Sequence, residues 1–305
     1  MPTIAEHLNW HWKGWRHARL ARAVLDTPPL VARDDGVVLF SMIGSQVLLP
    51  YLVAVKSLHR QLGRGRVVVL DDGTLTAADH EQLRYHCADP EILRLDAVQT
   101  EPCPQGGTWE RLLTILDRRA DDYVIQLDSD TVTFGPLPDV EAAIAAGRSF
   151  SLRGEADAAL MPVDAFVASL PVETPPLHIQ KTTERQLDRL ALPGGLPRYF
   201  RGCSGFAGFA PSDAGRALAI AFSQANESLL GPARWREWGT EQVASNFVIA
   251  NDPDPLLLPY DRYLNFWDRG IPADARLVHF VGTCRFNGEA YMTATAAAIR
   301  ALNAS

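Results

Sequence analysis

Lysine, long apolar runs and paired cysteines are scarce or absent in this sequence. The only lysines are Lys13, Lys56 and Lys181, and arginine, which can bind phosphate through two parallel hydrogen bonds, supplies the other basic side chains. No apolar run approaches the roughly 20 residues that a membrane-spanning helix needs. Polar residues also interrupt the N-terminal segment, so no signal peptide is indicated. We therefore expect a cytoplasmic protein without a transmembrane segment.

The four cysteines lie far apart and form no C-x-x-C pair. This spacing argues against a zinc ribbon and against a disulfide framework, so we expect reduced thiols. The net charge is −7 at pH 7, and a field of this sign repels nucleic acid. We therefore expect no nucleic-acid partner, and an anionic substrate must be held by locally arranged cations.

Residues 1–35 differ from the rest of the chain, because they are rich in tryptophan and basic residues and end in a polar, proline-containing stretch. We predict an N-terminal helical extension that packs on the outside of one large domain, residues 36–305. A basic helix that carries tryptophans can instead lie on a membrane surface. Peripheral membrane contact through residues 1–25 therefore stays open.

From residue 37 onward, short apolar runs alternate with helical patterns. The predicted strands are Val37–Phe40, Val67–Leu70, Ile92–Leu95 and Tyr123–Leu127, and the predicted helices between them cover 48–62, 76–86 and 108–118. This alternation is typical of βαβ units, which build an α/β fold with a mostly parallel central sheet flanked by helices. Ligands of such sheets bind beyond the carboxyl ends of the strands. The residues after Leu127 are therefore the first place to look for a site.

Asp128-Ser129-Asp130 follows the fourth predicted strand directly. Carboxylates two residues apart at a strand end point to the same side, so Asp128 and Asp130 can converge on one divalent cation such as Mn²⁺ or Mg²⁺. The chain repeats the pattern at Asp252-Pro253-Asp254, where the prolines nearby indicate a turn. Only the first pattern follows four strand–helix repeats. We predict the metal site there.

Arg111 is a candidate phosphate ligand. It lies one turn into the helix before Asp128, and the leucines of that helix are expected to face the core, so its guanidinium can reach over the strand ends. The alternative is a solvated arginine that pairs with Glu110 or Asp117. We also place Asp72, in the turn after the second strand, among the nucleotide-binding residues.

A third candidate segment lies near the C-terminus. A short apolar strand delivers His279, and Gly282 and Arg285 follow. An imidazole can ligate Mn²⁺ beside carboxylates, a glycine allows close backbone approach, and an arginine can bind a diphosphate. The alternative for His279 is a satisfied core histidine.

Three blocks of the sequence resemble one known family. The first comprises Trp109-Glu110-Arg111-Leu112, Asp128-Ser129-Asp130-Thr131 and Phe134-Gly135-Pro136-Leu137. It looks like the core motif of the retaining family 8 glycosyltransferases, the group of glycogenin and the bacterial lipopolysaccharide galactosyltransferases. His279-x-x-Gly282-x-x-Arg285 is similar to the H-x-x-G-x-x-K of that family, with arginine in place of lysine. Glu241–Asn246 is similar to its D-Q-D-A-L-N block, with Val243 in place of an aspartate.

The resemblance implies a GT-A fold, the nucleotide-diphospho-sugar transferase fold, for residues 36–305. The nucleotide-sugar half would cover about 36–150 and the acceptor half about 151–290. It also implies a metal-dependent hexosyltransferase that uses a nucleotide diphosphate sugar, expected to be a UDP-sugar, and retains the anomeric configuration. The acceptor would be a saccharide, a lipid-linked molecule or a small molecule.

The resemblance also implies roles for individual residues. The implied metal ligands are Asp128, Asp130 and His279, and the implied diphosphate contacts are Arg111, Gly282 and Arg285. Gln242 would lie beneath the anomeric carbon, with Glu241 next to it. Aromatic faces suit sugar rings, so Trp238, Tyr263 and Trp267 are expected on the acceptor side, although core aromatics give the same pattern.

Several alternatives stay open at this point. An inverting glycosyltransferase would need a general base, and Glu241 or Asp268 could serve. A phosphatase of the haloacid-dehalogenase type would use Asp128 as nucleophile, but its downstream acidic pair is missing. A sugar-1-phosphate nucleotidyltransferase would need a glycine-rich basic loop after the first strand, and none is present. A carbohydrate-binding module without catalysis is the last alternative.

Overall fold

The structure is a computed structural model that describes residues 4–192 and 197–304. Residues 1–3 of the predicted extension, and residues 193–196 and 305 of the predicted domain, lie outside the described residues. The strands are β1 (Val37–Ile43), β2 (Arg66–Asp71), β3 (Glu91–Arg94), β4 (Tyr123–Leu127), β5 (Thr131–Thr133), β6 (Phe150–Arg153), β7 (Met161–Pro162), β8 (Arg198–Tyr199), β9 (Gly202–Phe209), β10 (Leu256–Leu257), β11 (Tyr263–Asn265) and β12 (Leu277–His279). The α-helices are α1 (Ile4–Ala21), α2 (Leu48–Leu62), α3 (Ala77–His86), α4 (Trp109–Arg118), α5 (Pro138–Ala145), α6 (Val163–Ser169), α7 (Ile179–Glu184), α8 (Ala217–Leu230), α9 (Pro232–Trp235), α10 (Thr240–Asn251) and α11 (Ala290–Asn303).

The described part of the chain has the α/β architecture that the alternating pattern predicts. Its main sheet has seven strands in the order β10-β6-β9-β4-β1-β2-β3, and helices flank it. β1 and β2 are parallel, as are β10 and β6, whereas β6 and β9 are antiparallel. A second sheet has the order β11-β12-β5, and β7 pairs with β8.

The elements predicted between residues 37 and 127 are present. α2 and β4 begin and end at the predicted residues, and β3 is shifted by one residue towards the N-terminus. α3 begins with a capping box in which the Thr76 hydroxyl accepts from the N–H of Asp79 at 3.2 Å, and the Asp79 carboxylate accepts from the N–H of Thr76 at 2.8 Å. These features are local in the sequence, which is why they can be predicted from it.

One compact unit comprises the described residues up to Leu93, Leu127–Pro138 and the described residues from Tyr260 onward. Apart from half-buried Met42, the apolar side chains of β1 and β2 are buried in its core, as are most of those of α2. α1 packs against α2 and α11, where the rings of His17 and Tyr291 stack with centroids 3.8 Å apart. The sheet β11-β12-β5 belongs to this unit.

A second compact unit comprises Arg94–Gln126 and Asp139–Pro259. β9 is buried along its whole length, and α10 packs against it. A side chain at Gly202 would collide with Ser151 and Asn246, so glycine permits this close packing. The leucines of α4 that were expected to face the core are fully buried.

All four cysteines are free thiols, as expected, and Cys87, Cys103 and Cys203 are buried. None of the described helices combines the length and the apolar character that crossing a membrane requires.

Two buried histidines are held as neutral bases. His17 Nε2 lies 2.9 Å from the Thr295 hydroxyl, and burial, together with the charge of Arg285, lowers the pKa of His17 to about 4. His86 Nδ1 lies 3.1 Å from the Lys56 ammonium, and burial, together with that charge, lowers the pKa of His86 to about 4. The ordinary value for both is 6.5.

We therefore expect the free energy of unfolding to fall as the pH is lowered from 7 to 5. In this window the unfolded chain takes up protons at both imidazoles, whereas the folded chain takes up few, so each histidine costs about 2 kcal/mol of stability. Urea unfolding at the two pH values measures the loss. His86→Asn should lessen it by about 2 kcal/mol, and His11→Asn, at an exposed position, should not. An equal loss in the parent and in the His86 variant would contradict this account.

Candidate functional site

The sheet β11-β12-β5 aligns three segments that are far apart in the sequence. In its register Asn265 of β11 pairs with His279 of β12, and His279 pairs with Thr131 of β5. Asp130 immediately precedes β5, and its carbonyl oxygen accepts from the N–H of Phe280 at 2.8 Å. Main-chain pairing therefore brings Asp130 and His279 next to each other.

Asp128, Asp130 and His279, the residues that the sequence puts forward as metal ligands, lie together. One ligand atom from each of them lies within 4.8 Å of the others. His279 Nε2 is 3.2 Å from Asp130 Oδ1 and 3.8 Å from Asp128 Oδ2. Asp130 and His279 are buried, and Asp128 is half-buried. Two carboxylates and an imidazole at this spacing form a donor set that suits a divalent cation such as Mn²⁺.

Asn265 orients the imidazole of this cluster. Its Oδ1 lies 2.9 Å from His279 Nδ1, and a carboxamide oxygen can only accept, so Nδ1 carries a proton and donates. In the neutral ring, the lone pair of Nε2 then faces the two carboxylates. A cation bound between the three side chains would be ligated by Nε2 and by both carboxylates. Metal-ligating histidines are held by a second partner in this way. The residues present therefore fit a divalent cation.

Arg285 lies against the same cluster. Its guanidinium forms an ion pair with the Asp130 carboxylate, and its Nε donates to the carbonyl oxygen of Phe280 at 3.1 Å. Burial raises the pKa of Asp130, but the charge and hydrogen bond of His279 when its ring is protonated, together with the charge of Arg285, outweigh burial, so the pKa is lowered and the carboxylate stays ionised. Gly282, with a φ of +41°, begins the turn that leads to Arg285. The pairing of Arg285 with Asp130 is a contact that sequence reasoning missed.

Asp72 lies at the carboxyl end of β2, beside the end of β1. Its N–H donates to the carbonyl oxygen of Ile43 at 3.0 Å, and its Oδ1 accepts from the N–H and the hydroxyl of Thr74 at 2.9 and 2.6 Å. A Cβ at Gly44 would lie 2.2 Å from Asp72 Oδ2, so glycine leaves room for this carboxylate. Asp72 is exposed, and its contact with a nucleotide stays a prediction.

A second polar cluster lies in the unit that contains α4 and α10. Arg111 is only 7% exposed, so the alternative of a solvated arginine does not hold. Its Nη2 donates to Glu241 Oε2 at 3.1 Å and to Ser204 Oγ at 3.2 Å. Glu241 is also buried, and the same oxygen accepts from the Thr108 hydroxyl at 3.0 Å. Arg111 and Glu241 thus form a buried ion pair that neutralises both charges.

The first turns of α4 and α10 are joined around this ion pair. Trp109 Nε1 donates to the Thr240 hydroxyl at 3.0 Å. Before α4 the chain passes through three successive residues with positive φ, Gly106 at +84°, Gly107 at +57° and Thr108 at +73°. A β-branched residue rarely adopts this conformation, and such strain concentrates at functional sites. The sequence shows the paired glycines but not that Thr108 shares their conformation.

Gln242, which the resemblance places beneath the reacting carbon, is half-buried beside β9. Its Oε1 is 3.4 Å from Ser204 Oγ, and its Nε2 is 3.5 Å from the carbonyl oxygen of Gly202. Both distances are long for hydrogen bonds, so these partners hold the amide loosely. The carboxylate of Glu241, in contrast, is held by Arg111.

The three aromatic residues predicted on the acceptor side differ in exposure. Trp238 is 70% exposed and Trp267 is 37% exposed, and their contact with an acceptor stays a prediction. The prediction for Tyr263 is wrong. This residue of β11 is completely buried in the core, so its ring cannot stack on a sugar. Asp268, one of the two candidate bases, is exposed, and its Oδ2 accepts from Asn287 Nδ2 at 3.3 Å.

Solved structures similar to this chain include glycosyltransferases. An active-site mutant of LgtC aligns with a TM-score of 0.52 and 10% identity, over 86% of this chain and 95% of that one. The bifunctional glycosyltransferase WbbM aligns with a TM-score of 0.49 and 14% identity, over 91% of this chain and 53% of WbbM, so this chain spans about half of WbbM. Mouse xyloside xylosyltransferase 1 aligns with a TM-score of 0.44 and 12% identity, over 83% of this chain and 98% of that one.

No protein-family model and no curated protein matches the sequence. The LgtC alignment shows that the chain has the GT-A fold, as the resemblance implies.

Proposed function

We propose that this protein is a metal-dependent glycosyltransferase of the family 8 type, which moves a hexose from a UDP-sugar to an acceptor. The observation that carries the proposal is the cluster of Asp128, Asp130 and His279, with Arg285 beside it, in a chain of GT-A fold. The acceptor is a saccharide, a lipid-linked molecule or a small molecule. The cytoplasmic location and the division into a nucleotide-sugar half at 36–150 and an acceptor half at 151–290 stay predictions.

The metal cluster and the basic residues named above would bind the donor. Asp128, Asp130 and His279 would hold Mn²⁺ or Mg²⁺, with Asn265 fixing the imidazole. When bound, such a cation neutralises charge on the diphosphate leaving group. Arg285 adds a second positive charge beside the cluster, and we assign it to the diphosphate. Gly282, Asp72 and Arg111 are further proposed contacts of the nucleotide diphosphate.

Gln242 is the residue that we assign to the reacting carbon. An amide is no base at neutral pH, so it can orient the sugar and support positive charge that develops at the anomeric carbon. The bond from this carbon to the departing β-phosphate oxygen breaks, and that oxygen accepts the proton of the acceptor hydroxyl as the new bond forms on the same face. The anomeric configuration is then retained. Glu241 acts through Arg111 and is a positioning residue in this scheme.

An inverting reaction is the alternative, and the exposure of the two candidate bases differs. Asp268 is exposed, whereas Glu241 is buried in its ion pair with Arg111. If the reaction inverts, we therefore expect Asp268 rather than Glu241 to be the base. The GT-A fold favours either glycosyltransferase over the phosphatase in which Asp128 would be the nucleophile.

A screen of sugar nucleotides tests the proposed function. We expect one UDP-sugar to be hydrolysed slowly in the presence of Mn²⁺, with released UDP measured by ion-exchange chromatography. Excess EDTA should stop hydrolysis, and added Mn²⁺ should restore it, because the leaving group needs charge neutralisation. Undiminished hydrolysis in EDTA would refute the metal dependence. Release of phosphate from p-nitrophenyl phosphate, with every sugar nucleotide left intact, would favour the phosphatase.

A further inference from the structure

Two tryptophans of α1 are exposed and do not take part in packing the helix against its unit. Trp12 and Trp15 are 54% and 58% exposed, and because they are three residues apart they share one face of the helix. Large exposed apolar side chains that cluster in this way mark interaction surfaces.

A different face of α1 holds the helix to its unit. The ring of Trp10 meets that of Phe286 edge to face with centroids 5.2 Å apart, and His17 stacks on Tyr291. A Cβ at Gly14 would lie 3.4 Å from Phe286, so the helix approaches this ring closely. Trp12 and Trp15 therefore do not contribute to this packing.

Arginines accompany both exposed rings. The guanidinium of Arg16 lies 4.8 Å from the ring centroid of Trp12, and that of Arg19 lies 5.7 Å from the ring centroid of Trp15. Residues 9–25 contain four lysine and arginine side chains and no acidic one, in a chain of net charge −7. Glu289, which pairs with Arg16 at 3.2 Å, offsets part of this local charge.

We propose that the Trp–Arg face, formed by Trp12, Trp15, Arg16 and Arg19 of α1 and by Arg22 directly after it, docks on an anionic phospholipid membrane. Indole rings insert at the level of the lipid headgroups, and arginine binds lipid phosphates while its apolar stem stays at the interface. A second copy of the chain fits less well, because two such faces would oppose like charges. Nucleic acid fits less well, because a phosphate backbone offers no apolar layer in which the two exposed indole rings could be buried.

Vesicle sedimentation tests this proposal. We expect the parent to bind vesicles of phosphatidylcholine mixed with phosphatidylglycerol at low salt, with a blue shift of tryptophan emission, and to bind phosphatidylcholine alone weakly. The double variant Trp12→Ser, Trp15→Ser should lower the partition coefficient at least about tenfold through lost burial of apolar surface. Arg19→Glu, Arg22→Glu should lower it by a similar factor on the mixed vesicles, because each basic side chain contributes electrostatic attraction.

The controls separate docking from misfolding and from sugar transfer. Tyr85→Ser removes an aromatic side chain of comparable exposure, 59%, outside α1 and should bind vesicles like the parent. Both double variants should keep the thermal unfolding and the donor hydrolysis of the parent, since these positions are exposed. A parent that does not bind mixed vesicles, or a Trp12, Trp15 variant that binds as well as the parent, would overturn the proposal. The proposal would also be overturned if the parent formed a dimer that this variant lost, while the variant still bound the vesicles as well as the parent.

Discussion

Replacing Asp130 by asparagine is expected to remove metal binding and sugar transfer together. Asparagine keeps the size of the side chain but has no charge to offer a cation or to balance Arg285. Loss of an outer-shell partner alone costs a metal site about 10–100-fold in affinity, so loss of this ligand should weaken Mn²⁺ binding by at least about 100-fold. Turnover should fall by about 10³-fold, at the upper end of what one preorganised active-site group contributes. Calorimetric titration with Mn²⁺ and donor hydrolysis measure the two effects.

The second D-x-D pattern supplies a matched control. The side chain of Asp254 is 79% exposed, and its carboxylate forms a surface ion pair with Arg148 at 2.9 Å. We do not expect this carboxylate to bind a metal. Asp254→Asn should therefore bind Mn²⁺ and hydrolyse the donor like the parent. The assignment of the metal site is wrong if Asp130→Asn binds Mn²⁺ as tightly as the parent while keeping its thermal unfolding profile. It is also wrong if both variants lose binding equally.

Changing Gln242 to alanine is expected to slow turnover while leaving donor affinity nearly intact. In the proposed scheme the amide acts on charge that develops only in the transition state, so its loss should reduce kcat by about 10–10³-fold. Binding of UDP should change little, because the diphosphate contacts are assigned to other residues. Steady-state kinetics with the active donor and calorimetry with UDP measure the two quantities separately.

Gln224, an exposed glutamine of α8, is the matched control for this change, and Gln224→Ala should behave like the parent. Equal losses of kcat and of UDP affinity in Gln242→Ala would show that the residue shapes the donor site rather than the reaction. Proton NMR of the product decides the stereochemistry directly. A β-linked product from an α-linked donor would end the retaining scheme and make Asp268→Asn the next variant to test.

The predictions from sequence were most successful where the governing interactions are local. The apolar runs and the turn residues between them predict α2 and β4 at their observed ends, and the Thr76–Asp79 spacing predicts the capping box of α3. Alternation of these elements, together with the family-like motifs, was enough to predict an α/β fold of GT-A type. Aromatic residues were the weak point. The pattern around Tyr263 could not separate a buried ring from a sugar-binding one, because apolar bulk serves both purposes.

By itself, the sequence determined the strand–helix order and the position of the first D-x-D pattern just after β4, and it predicted His279 as a further ligand beside that pattern. Only the tertiary structure decided which groups complete the two clusters. Asn265 lies 14 positions from His279, Glu241 lies 130 positions from Arg111, and Asp130 lies 155 positions from Arg285. The first contact depends on the register of a small sheet, and the other two depend on how helices and turns pack. Such contacts leave no periodic or spacing signal in the chain, because packing rather than local backbone preference brings the residues together.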